Sequence, residues 1–191
     1  MRLTREQAFA ILKKHMSNKN LINHSLAAEG AMRGLAKHFG EDEEKWGVVG
    51  LLHDGDYEET GKDITKHTKL MVQWLQEEGE QDEDVMNAIA SHAYAHTGEN
   101  PPSTKLEWGI FCADELTGLI VGCALVQPDK KLASVTVDSV IKKFHTKQFC
   151  ANVNRDSIAA CEKELGIKLP EFIEIVLKSM REIAPIIGYL S

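Results

Sequence analysis

The feature that most constrains this chain is the stretch Val48-Val49-Gly50-Leu51-Leu52-His53-Asp54-Gly55-Asp56. An apolar run delivers an adjacent histidine and aspartate and then breaks at once into glycine. Unpaired charge in a dry interior is strongly disfavoured, so groups in such a place are normally paired or bound to a metal. Neighbouring residues on a helix point about 100° apart, so the two side chains cannot share a regular face. At a helix end, where the backbone turns off at Gly55, both can aim into one cavity. That arrangement suits a metal ion gripped by an imidazole and a carboxylate together, and it requires further partners from elsewhere in the chain.

The rest of the chain reads as helices. Thr4-Arg5-Glu6-Gln7 has the form of a capping box opening a helix that carries Phe9, Ile11, Leu12 and Met16. Residues 21–39 read as one long helix closed by Gly40. Asp42, Glu43 and Glu44 then place acid in the next first turn, where the helix dipole favours it. Residues 55–61 read as a polar loop. The helical period returns over 63–78, with Ile64, His67, Met71 and Trp74 on one stripe, and over 82–96, with Val85, Ile89, His92 and His96 on another. After a loop at 97–103, 105–127 is the longest apolar helix, with Ile110, Asp114, Thr117 and Val121 on one face. Three- and four-residue steps make 135–144 a helix, and 156–165 and 170–184 complete the set. No run alternates as a strand does, and no repeat or linker interrupts the pattern. The expectation is all-α: a single domain over 1–191, with its motif core at about 21–125 and helices of 134–190 packed on it.

Composition limits the function. A chain of 191 residues suffices for one good core, and 43% hydrophobic with 27% charged residues is ordinary for a soluble globular protein. A net charge of −7 argues against a broad basic surface for a nucleic-acid polymer, though not against a small phosphate ligand. The apolar runs fall short of the roughly 20 residues that span a bilayer, and the N-terminus shows no signal-peptide core. Cys112, Cys123, Cys150 and Cys161 lack CxxC spacing and fall inside helical patterns. They read as reduced thiols, so a cytoplasmic location is expected. Oligomeric state is not legible.

Six groups that can ligate a metal sit where the pattern is core-facing. His24 shares a face with Ala28, Ala31 and Leu35, and His53 with Trp46 and Val49. His67 lies between Ile64 and Met71, His92 follows Val85 and Ile89, Asp114 stands between Ile110 and Val121, and Asp54 is the sixth. Any one histidine on an apolar face is more often a satisfied core residue than a ligand. A carboxylate in the middle of an apolar helix needs a compensating partner, and five helices each offering such a group are hard to treat as independent.

The order His24 … His53-Asp54 … Asp114 resembles the HD-domain superfamily of metal-dependent phosphohydrolases over about 21–125. The resemblance implies an HD-type helical bundle with these four residues holding one divalent cation at its centre. In members with two metals, two further histidines lie between the pair and the last aspartate; His67 and His92 occupy those places, and Asp54 would bridge both ions. The Gly-Tyr-Pro of the cyclic dinucleotide phosphodiesterase branch is missing, and nothing resembles the synthetase half of the alarmone enzymes. The implied activity is hydrolysis of a small phosphate ester, with a nucleotide phosphomonoester as the leading substrate. The alternatives are a two-metal phosphodiesterase and a non-catalytic metal- or nucleotide-binding regulatory module. A mixed imidazole and carboxylate set without sulfur suits one or two ions of Mn, Fe, Ni, Co or Zn, or of Mg if few imidazoles bind.

Other residues carry weaker signals. Among the loop acids Asp56, Glu58 and Glu59, Glu58 is the catalytic candidate beside Asp54, positioned to orient water; the competing reading is a solvated acidic loop. His96, one turn past His92, is a candidate for substrate binding or a partner of the helix dipole. Lys142, Lys143, His145, Lys147 and Arg155 form the basic concentration of an acidic chain. If that segment folds over the cavity, Lys143, Lys147 and Arg155 are placed to bind phosphate; otherwise it is a solvated face. His15 and His38 read as surface residues, and Trp46, Trp74 and Phe111 as packing.

Overall fold

Short polar side chains start most of the helices. In the computed structural model, which describes residues 3–61 and 63–187, Thr4 and Gln7 form the reciprocal capping box of α1 (Arg5–His15). Asn18 caps α2 (Lys19–Phe39), which Gly40 ends in the left-handed conformation at φ 70°. Asp42 accepts from two backbone amides to start α3 (Glu43–Leu52). One-turn α4 (Tyr57–Thr60) leads to α5 (Lys69–Glu77), and Asp82 caps α6 (Glu83–Ser91). The single turn α7 (Tyr94–Thr97) precedes α8 (Lys105–Leu125), capped by Thr104. Then come α9 (Val137–Phe144), α10 (Arg155–Ala160) continued by a wide turn at Cys161–Leu165, and α11 (Leu169–Ile187). Among the described residues the regular structure is entirely helical.

α2 is the hub, packing most heavily on α3 and also on α11 and α8. The α2–α3 approach depends on Gly50, where a Cβ would lie 2.5 Å from the Ala28 carbonyl oxygen. No side chain fits there, so the end of α3 presses directly onto the first half of α2. α8 has the length and apolarity of a membrane span, but 61% of its most apolar stretch is buried inside the protein, as in a core helix. Ile110, Ala113, Leu116 and Ile120 are wholly buried along it.

Several local expectations change. The helix expected over 63–78 begins only at Lys69, because Thr68 adopts φ 69°. The Met71 amide in the first turn of α5 is instead met by Asp56 Oδ2 at 3.0 Å, a cap supplied from a distant segment. Ile64 is therefore off any stripe and 51% exposed. The helix expected over 82–96 divides into α6 and α7, and the loop at 55–61 contains α4. Cys150 lies outside any helix, at φ 45°, while Cys112, Cys123 and Cys161 are buried free thiols. His15, expected at the surface, stacks on Trp74 with ring centroids 3.6 Å apart.

Candidate metal centre

Four imidazoles turn the same nitrogen inward. His53, the first residue after α3, lies against the Gly50 carbonyl oxygen through Nδ1 at 2.7 Å. His92, the first residue after α6, repeats this contact with Ile89 at 2.7 Å. His67, on the turn before α5, has Nδ1 2.8 Å from Asp56 Oδ1. In each ring the Nδ1 proton is committed to an oxygen, so the Nε2 lone pair is what faces the interior. His24, on α2, brings its Nε2 to 2.9 Å from Asp114 Oδ1.

These nitrogens meet the two aspartates in an ordered way. His53 Nε2 is 3.2 Å from His24 Nε2 and 3.4 Å from Asp114 Oδ1. His67 Nε2 and His92 Nε2 are likewise 3.2 Å apart. Asp54 stands between the pairs: Oδ2 lies 3.5 and 3.7 Å from His24 and His53, and Oδ1 lies 3.3 and 3.2 Å from His67 and His92. The donor atoms of His24, His53 and Asp114 all fall within 4.8 Å of one another, as do those of His53, Asp54 and His92. Ring nitrogens this close to each other and to carboxylates need a proton or a cation between them. The donor set fits a divalent metal.

The electrostatics describe the same demand. Burial pushes Asp54 toward its neutral form. The positive charge of His53 and hydrogen bonds from His24, His67 and His92 overcome this and hold it well below the usual carboxylate range. Asp114 is lowered in the same way, against burial, by His24 and His53. Burial also opposes charge on His24, but hydrogen bonds to Asp114 and Asp54 raise it from 6.5 to about 10. His67 likewise rises to about 10 against burial, through Asp54 and Asp56. Without a metal, His24 and His67 thus keep a proton against the aspartates, in the place that a cation would take.

A cavity of about 270 Å³ opens over this cluster, lined by Asp54, His67, His92 and Asp114 and beyond them by Tyr57, Ile64, His96, Phe111 and Glu115. His96 is on the cavity lining, with Nε2 3.7 Å from Glu115 Oε1. Glu115 also accepts from the Asn154 amide at 3.0 Å. Burial, aided by the Asp114 charge, raises its carboxyl to about 7.

Four sequence-based site residues are corrected. Glu58 does not line the cavity. Its carboxylate accepts from the Ser17 and Asn18 amides at 2.8 Å each and from Ser17 Oγ at 2.7 Å, tying α4 to the α1–α2 junction. Those donors hold its pKa below the ordinary value. Lys143 places Nζ 4.5 Å from the centroid of the Phe149 ring. Lys147 and Arg155 line a separate cavity. The Arg155 guanidinium donates to the carbonyls of Phe144, Phe149, Cys150 and Val153, so it pins its own loop rather than a phosphate. Arg155 is structural because a guanidinium encircled by carbonyls has few donors left.

Sequence reasoning missed two roles. Asp56, which the sequence offers only as one of three loop acids able to position water, is fully buried and both orients His67 and caps α5. Glu115 is legible as a second carboxylate beside Asp114 on an apolar helix. A family model described as HD domain matches residues 21–119, just over half of the chain, a span that contains all six clustered residues. No curated protein and no solved structure matches.

Proposed function

The chain belongs to the HD domain family, and from that premise we propose a metal-dependent phosphohydrolase that cleaves a small phosphomonoester such as a nucleotide. The observation that carries this reading is the common direction of the rings. Anchored Nδ1 atoms on His53, His67 and His92 leave Nε2 free to ligate beside two carboxylates. His24, His53, Asp114 and Asp54 Oδ2 would hold one ion, and His67, His92 and Asp54 Oδ1 a second. Bound divalent ions polarise a phosphoryl group and activate water at neutral pH. The chain itself holds the ligands in place, shields the cluster under the cavity, and offers His96 and Glu115 as hydrogen-bonding partners to the ester.

The division of Asp54 between two imidazole pairs also favours a two-metal phosphodiesterase. Cavity size favours the monoester. About 270 Å³ lies below the roughly 300–1,000 Å³ of sites for drug-sized ligands, which suits a monoester better than a dinucleotide. The discriminating experiment measures metal content of protein purified without chelators, then phosphate release from mono- and diesters with added Mn or Ni. Two ions per chain and metal-dependent release from monoesters are expected. Failure to bind metal even after loading overturns the proposal, whereas metal without release from any ester leaves a binding module.

A further inference from the structure

The cavity has a wall that the metal cluster does not use. Four large apolar side chains are exposed among the described residues: Tyr57, Ile64, Leu125 and Val126. Two of them, Tyr57 and Ile64, line this one cavity from separate segments, with Phe111 of α8 beside them. Isolated exposed apolar groups need no explanation, but a patch lining a concave site marks a surface that a ligand covers. The wall is fixed to the metal cluster. The Tyr57 ring packs edge-on against His67 at 5.5 Å, and Phe111 packs edge-on against Trp108 at 5.3 Å.

Charge on the lining points the same way. Apart from the clustered residues and Tyr57, the ionisable side chains on the lining are His96 and Glu115, and no lysine or arginine is among the described lining residues. Sites that accept a second phosphate or a carboxylate recognise it with such cations. Here a second acidic group would find no such cation among the described lining residues.

We infer that the ester's leaving group is uncharged and presents an apolar face, packed on Tyr57, Ile64 and Phe111, and that esters with a second acidic group are rejected. This rests on the phosphoryl group lying at the metal cluster, as in the function proposed above. The test is calorimetric binding of three phosphonates, which are not hydrolysed, to the Mn-loaded protein. They are methylphosphonate, phenylphosphonate and 4-carboxyphenylphosphonate. Phenylphosphonate is expected to bind about tenfold or more tighter than methylphosphonate, the usual scale for filling an apolar subsite, and the carboxylated ring to lose that gain. Ile64→Ala should reduce the phenyl preference without weakening methylphosphonate. Ile64→Lys, at an exposed rim position, should recover binding of the carboxylated ring. Equal binding of phenyl and methyl compounds, tightest binding of the carboxylated ring, or binding of none of the three overturns the inference. Release from phenyl phosphate is followed in parallel. The expected binding order without turnover supports the wall and overturns the hydrolase, while turnover without a phenyl preference does the reverse.

Discussion

The two imidazole pairs of the site are held by different means. His24 and His53 belong to helices whose backbones touch. Gly50 lets α3 close on Ala28 of α2, and the Gly50 carbonyl also receives the His53 ring. His92 copies His53, with the same contact to the carbonyl three residues back. His67 has no helix beneath it. It sits on a turn, and its ring is held by the single carboxylate of Asp56, which also caps α5. His53 and His92, one from each pair, are thus set by main-chain carbonyls, which resist substitution. His67 alone depends on one buried side chain, and the half of the site that includes it is the easier to lose.

The sharpest way to break this contrast is Asp54→Ala, since Asp54 faces both pairs. Metal content and phosphate release are both expected to fall to background while helical circular dichroism is retained; surviving activity would refute the shared role. Asp56→Ala comes next. Loss of a partner that orients a ligand typically weakens metal binding by about 10–100-fold, so calorimetry should show one weakened ion and one unchanged. Loss of the cap should also cost about 1 kcal/mol in urea unfolding. Equal weakening of both ions would erase the distinction between the halves. Gly50→Ala attacks the other half. Its new Cβ meets the Ala28 carbonyl, and overpacking of this kind costs about 1–3 kcal/mol. Disturbance of the His24–His53 ion with the His67–His92 ion intact is the expected metal titration. The smallest effect belongs to Glu58→Ala, which should leave kcat unchanged and lower the unfolding midpoint slightly by freeing the α1–α2 junction. A large fall in kcat would return Glu58 to the active site.

Much of the site was legible before any coordinates. The long helices at 21–39 and 105–127 end within two residues of where the pattern put them, as α2 and α8, because caps and periodicity are local. His24, His53, Asp54, His67, His92 and Asp114 were identified as polar groups in apolar surroundings, and the fold brings all six together. His67 was placed on the right side for the wrong reason, on a stripe that Thr68 interrupts. Glu58 and Asp56, two residues apart in one acidic loop, could not be told apart by composition. One turns to Ser17 and Asn18, the other to His67 and Met71.

What the sequence determined by itself was therefore the long helices, their caps and which polar groups lie on apolar faces, since each follows from residues within a few positions of one another. Only the tertiary structure decided which acid faces the histidines, that Arg155 spends its donors on its own loop, and that Tyr57 and Ile64 form a wall. Those outcomes depend on which distant segment lies across the gap, and hydrogen bonds and packing between segments far apart in the chain leave no periodicity to read.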